Sequence, residues 1–133
     1  MERIQMATIA RAYVNAGQHA EQVFRFTMTG IISRADNRPA TECGDCGDIQ
    51  VKSARATVCK GTDIDKYLNA DAAKRYAYVT ADFKIAFIMS KTEWKQFVNK
   101  FGTVTRESAK NGGKEKIRLK AESKEMREWF EKA

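Results

Sequence analysis

Short apolar runs that switch between helical and strand spacing most constrain the fold of this chain. Ala20, Val23, Phe24, Thr27 and Met28 recur at three- and four-residue steps, as on a helix buried along one side. Trp94, Phe97, Val98 and Phe101 repeat that pattern, and the Ser90-Lys91-Thr92-Glu93 spacing ahead of them is that of a capping box. Ile49 and Val51 instead alternate with Asp48, Gln50 and Lys52, which is the period of a strand. Helices are therefore expected over 3–16 (stopping at Gly17), 18–29, 63–73, 91–101 and 123–132. Strands are expected over 30–33, 48–59 (bent or broken near Ser53-Ala54), 76–80, 84–89 and 116–120, with turns over 34–47 and at Asn111-Gly112-Gly113. The order predicts an α/β or α+β domain with one central sheet. Trp94 and Trp129, both on helical stripes, are assigned to the core.

At 133 residues, with no repeat or linker composition, residues 1–133 read as a single domain. The longest strongly apolar run, Ile85 to Met89, is far shorter than a membrane helix of about 20 residues, so no membrane partner is expected. The amino-terminal residues lack the layout of a signal peptide, and a cytoplasmic location is the expectation. Three cysteines, an odd number, argue against a secreted disulfide framework. Cys43 and Cys46 have the spacing of half a zinc site, but completing it would need the distant Cys59 and His19.

A net charge of +7 favours polyanionic partners through counterion release. Residues 91–133 hold 12 basic and 7 acidic side chains, which accounts for +5 of that total. Within them Arg106, Lys110, Lys114 and Arg118 surround a glycine-containing turn and are candidate nucleic-acid contacts, although the turn lacks the spacing of a P-loop.

The segment Gly44-Asp45-Cys46-Gly47-Asp48-Ile49-Gln50-Val51-Lys52-Ser53 carries the chemistry. On a strand, Asp48, Gln50 and Lys52 share one face, with Asp45 just before it. Oxygen ligands beside an amine suit a hard divalent cation that lowers the pKa of a bound water, with the lysine placed to activate that water.

These residues resemble the active-site strand of the PD-(D/E)xK, or restriction-endonuclease-like, nuclease superfamily, with Gln50-Val51-Lys52 similar to its Gln-x-Lys variant and Glu21 to its helical glutamate. The text from Gln50 to Gly61 is also similar to phage-encoded or mobile-element proteins. The resemblance implies a restriction-endonuclease-like α/β core, a central mixed sheet flanked by helices. It implies Mg²⁺- or Mn²⁺-dependent cleavage of DNA, as an endonuclease or nickase, with Glu21, Asp45, Gln50 and Lys52 catalytic and Asp45, Asp48 and Gln50 on the metal. Asp45 is the first choice for the acidic element, Asp48 the second and Asp36 the third. Glutamine in place of the usual carboxylate leaves a second expectation open: a non-catalytic nucleic-acid-binding or phage-encoded inhibitor protein on the same fold. Cutting both strands would call for two active sites, hence a homodimer.

Overall fold

The computed structural model describes residues 1–32 and 42–133. It is a mixed α/β structure with seven strands, four helices and one turn of 3-10 helix at Ala109–Asn111 among the described residues. The strands are β1 (Glu2–Gln5), β2 (Ile49–Ser53), β3 (Thr57–Lys60), β4 (Arg75–Val79), β5 (Ile85–Ser90), β6 (Gly102–Arg106) and β7 (Glu115–Leu119). The helices are α1 (Ala16–Thr29), α2 (Ile64–Ala70), α3 (Lys91–Phe101) and α4 (Lys124–Lys132).

Two sheets form instead of the one central sheet expected. The first runs β1-β5-β4-β2 and is mixed, because β2 lies parallel to β4 while the other pairs are antiparallel. The second, β3-β7-β6, is antiparallel throughout. The expected break near Ser53-Ala54 is the point where the chain changes sheets. Ala56 N–H bonds to the Ser53 carbonyl at 3.1 Å, and Arg55 turns the chain with a φ of 64°.

Both faces of the first sheet are buried. Ile49, Val51, Ala77, Val79, Ala86 and Ile88 pack with Ala20, Val23 and Phe24 of α1. Tyr76, Tyr78 and Met89 point the other way, into a core shared with Trp94, Phe97, Phe101 and Phe130 and with Val58, Ile117 and Leu119 of the second sheet. Trp94 is fully buried, as its stripe predicts, and stacks on Tyr76 with ring centroids 5.1 Å apart. Trp129 is half-buried against the same core.

Local signals account for several boundaries. The Ser90–Glu93 capping box is formed in both directions at the start of α3. Asn15 caps α1, accepting from Gln18 N–H, and Gly30 ends it in the left-handed region at φ 73°. Gly17 therefore lies in the first turn of α1 and ends no helix.

Elsewhere tertiary pairing overrides the local reading. The expected helix over 3–16 is not formed: β1 lies antiparallel to β5, and the α1-side core takes Ile4 and Met6 from one face of the extended chain. Ile31 and Ile32 are exposed and in no regular element, so the strand expected at 30–33 is absent there, while Ser33 lies outside the described residues. The strand β6 was not expected, because its Val104 is exposed and leaves no buried alternation to read. No helix among the described residues is long and apolar enough to cross a membrane.

Candidate functional site

A cleft of about 500 Å³ opens where β2 leaves the first sheet and β3 joins the second. Its walls are the amino-terminal end of α1 (Asn15, Ala16 and Gly17), the end of β2, the Ala54–Ala56 turn, and Arg118 from β7. Lys52, Arg55 and Arg118 supply three positive charges to it, and Glu21 supplies one negative charge.

Each side chain arrives for a local reason. Strand alternation buries Ile49 and Val51 and leaves Lys52 half-buried on the opposite face. Arg55 is exposed at the tip of the turn between the sheets, and its carbonyl accepts the Arg118 Nε–H at 3.0 Å. That bond fixes one guanidinium against the backbone carrying the other. The positive end of the α1 dipole lies at the same opening, which favours an anion further. The ammonium of Lys52 makes no hydrogen bond or ion pair among the described residues.

Of the nuclease-like residues, Glu21 and Lys52 line this cleft together. Gln50 is half-buried on the same strand face as Lys52, beside Tyr76 of β4. Asp45 is only 8% exposed, and its Oδ2 accepts the Val51 N–H at 2.8 Å. Its carbonyl accepts from the Arg25 guanidinium at 2.6 Å, and Arg25 also pairs with Glu42 at 2.6 Å. Asp48 pairs with Arg75 at 3.0 Å, and its carbonyl accepts from the Lys74 and Arg75 amides. Asp36 lies outside the described residues.

Asp45 and Asp48 hold other groups, and among the described residues Glu21 is the carboxylate lining the cleft. Among the described residues no cluster of three or more His, Cys, Asp or Glu side chains forms. Cys59, which would have to complete the Cys43–Cys46 half-site, packs in the opposite core from Cys46. His19 is buried and sits edge-on to Phe83 at 4.6 Å.

The basic group read near the carboxyl terminus divides. Arg106 is satisfied locally, donating to the Gly113 carbonyl and pairing with Glu115, both at 2.8 Å. Lys110 is exposed on the 3-10 turn, and Lys114 lines a separate cleft with Lys60, Lys116, Glu107 and Glu115. Arg118 alone of the four reaches Lys52 and Arg55 in the first cleft. Arg55 was missed; an arginine just past the expected strand break was the available signal, since a turn tip must expose its side chain.

No family model, curated protein or solved structure matches the chain.

Proposed function

We propose that this protein binds nucleic acid, taking the phosphate backbone into the cleft beside α1. The observation that carries this reading is the convergence of Lys52, Arg55 and Arg118 on one opening that holds, among the described residues, a single carboxylate, Glu21. Guanidinium groups offer paired donors to phosphate oxygens, and the ammonium adds a mobile point charge. Contacts of this kind position a duplex without reading its sequence. Each neutralised phosphate adds about −0.9 to the slope of log K against log salt. The Lys52→Ala/Arg118→Ala variant is therefore expected to make the slope for a DNA duplex shallower by about 1.8, weakening binding alike on unrelated sequences. Fluorescence anisotropy between 50 and 200 mM salt measures this, and an unchanged affinity and slope would refute the assignment.

A second reading is metal-dependent hydrolysis of the bound DNA on a restriction-endonuclease-like core. It is favoured by Glu21 and Lys52 lining one cleft. Plasmid nicking in Mg²⁺ or Mn²⁺ that disappears in Lys52→Ala would support it, with a homodimer as the form able to cut both strands. Intact supercoiled plasmid under all these conditions would leave binding alone.

A further inference from the structure

The outward face of the second sheet continues the cleft, and its composition follows from strand register. Cys59, Ile117 and Leu119 turn into the core, so the residues alternating with them turn out. Thr57, Arg118 and Thr103 form one row across the three strands, and Lys60, Lys116 and Thr105 form the next. Among the described residues these two rows carry three cations, three threonines, of which Thr105 has its hydroxyl buried, and no carboxylate. Arg118 and Lys116, two residues apart on β7, stand about 6.8 Å from each other along the strand. Arg118 lies within the cleft already described, so the rows lead from it toward Lys60. Lys60 and Lys116 also line the second cleft together with Glu107 and Glu115, and there Arg106 already pairs with Glu115 at 2.8 Å.

We infer that this β-sheet face is a docking platform for the backbone of double-stranded nucleic acid, which runs from Lys52 and Arg55 over Arg118 to Lys116 and Lys60. The inference rests on the nucleic-acid reading of the cleft and extends it from a local phosphate site to a duplex footprint. A duplex is favoured over a single strand by the side chains themselves. Threonine hydroxyls and long cations contact phosphate oxygens, whereas single-strand sites stack bases on aromatic rings, and the six residues of these rows include none.

The test is the salt dependence of binding to a labelled 24-bp duplex. Five neutralised phosphates give a slope of about −4.5, or about a 500-fold loss of affinity from 50 to 200 mM salt. Lys60→Ala/Lys116→Ala should reduce this to about −2.7, or about a 40-fold loss, and Lys60→Arg/Lys116→Arg should restore it. Circular dichroism melting establishes that each variant is folded. A wild-type slope in the folded Lys60→Ala/Lys116→Ala variant would overturn the platform. The cleft reading would survive if Lys52→Ala/Arg118→Ala still made the slope shallower, and would fall with the platform if it did not. A 24-nucleotide single strand binding as tightly as the duplex would overturn the choice of duplex.

Discussion

Replacing Asp45 by alanine should destabilise the fold, and the size of the effect follows from one hydrogen bond. β2 is the edge strand of the first sheet, so no further strand lies beyond it to accept its outward amides. The Asp45 carboxylate takes that place for Val51, whose N–H it accepts at 2.8 Å while Val51 itself is 4% exposed. Alanine would leave this amide buried and unpaired, at a cost of about 1–3 kcal/mol. Unfolding entropy of about 2.1 cal/mol/K per residue gives about 0.28 kcal/mol/K for a chain of 133 residues. The loss then corresponds to a Tm lower by about 4–11 °C. Asp45→Asn keeps an acceptor oxygen and should lose less than the alanine variant. Thermal melts of the three proteins, followed by circular dichroism, measure the order. An Asp45→Ala protein melting within about 1 °C of the parent would refute the edge-strand argument. If Asp45 instead acts as a metal ligand, Asp45→Asn should abolish cleavage at near-parental stability, so the same pair of variants separates the two roles.

Two further outcomes follow from buried titratable groups. Burial, and secondarily the charge of Arg11, hold the His19 pKa below its ordinary value of about 6.5, so the unfolded chain takes up a proton there before the folded one does. His19 should therefore contribute its full stability above about pH 6.5 and lose it progressively as pH falls toward the folded pKa. The Tm difference between pH 7.5 and 5.5 should shrink in His19→Gln, and equal differences in the two proteins would contradict this. The thiols of Cys46 and Cys59 are buried and raised in pKa chiefly by desolvation, whereas Cys43 is exposed. Reaction with a thiol reagent at neutral pH should label one cysteine rapidly in the folded state and all three after denaturation; fast labelling of two or three in the folded state would count against the structure.

What could be read from the sequence was whatever rests on neighbouring residues. The α3 helix, its Ser90–Glu93 box and its four buried apolar residues follow from spacing alone, as does the division of Ile49 and Val51 from Gln50 and Lys52. The β4–β5 pair was visible as two runs flanking Ala81-Asp82, and Thr80 and Asp82 fix that turn through a 2.7 Å bond. Whatever depends on distant partners was not legible. β1 is a strand because the edge of β5 is available to it, and nothing in residues 2–5 announces that edge. Arg118 meets the Arg55 carbonyl across 63 residues of chain, so its separation from Arg106 and Lys114 could not be foreseen. Asp45 makes a contact with Val51 that spacing does not disclose. A tight turn brings Gly44 so near Ile49 that a Cβ there would lie 2.5 Å from the Ile49 carbonyl oxygen. The same turn delivers the Asp45 carboxylate to the strand's own amide.

The position of the cleft follows from how the two sheets are joined. β2 is an edge strand of one sheet and β3 an edge strand of the other, and the link between them is the short turn carrying Arg55. Side chains at such a junction belong to neither core, which is why Lys52 can be polar in a strand whose Ile49 and Val51 are buried. Two strands that begin as one continuous stretch thus place a lysine and an arginine at a common opening, and β7, pairing with β3, adds Arg118. α1 packs over the opposite face of β2, and its amino-terminal turn comes to the same opening. Three cations beside a helix amino terminus repel one another and raise the free energy of the unliganded state. Among the described residues Glu21 is the one carboxylate in the cleft to offset them, so an anionic ligand has electrostatic work left to do there, and the threonine- and lysine-bearing face of the second sheet extends the direction in which a long one would lie.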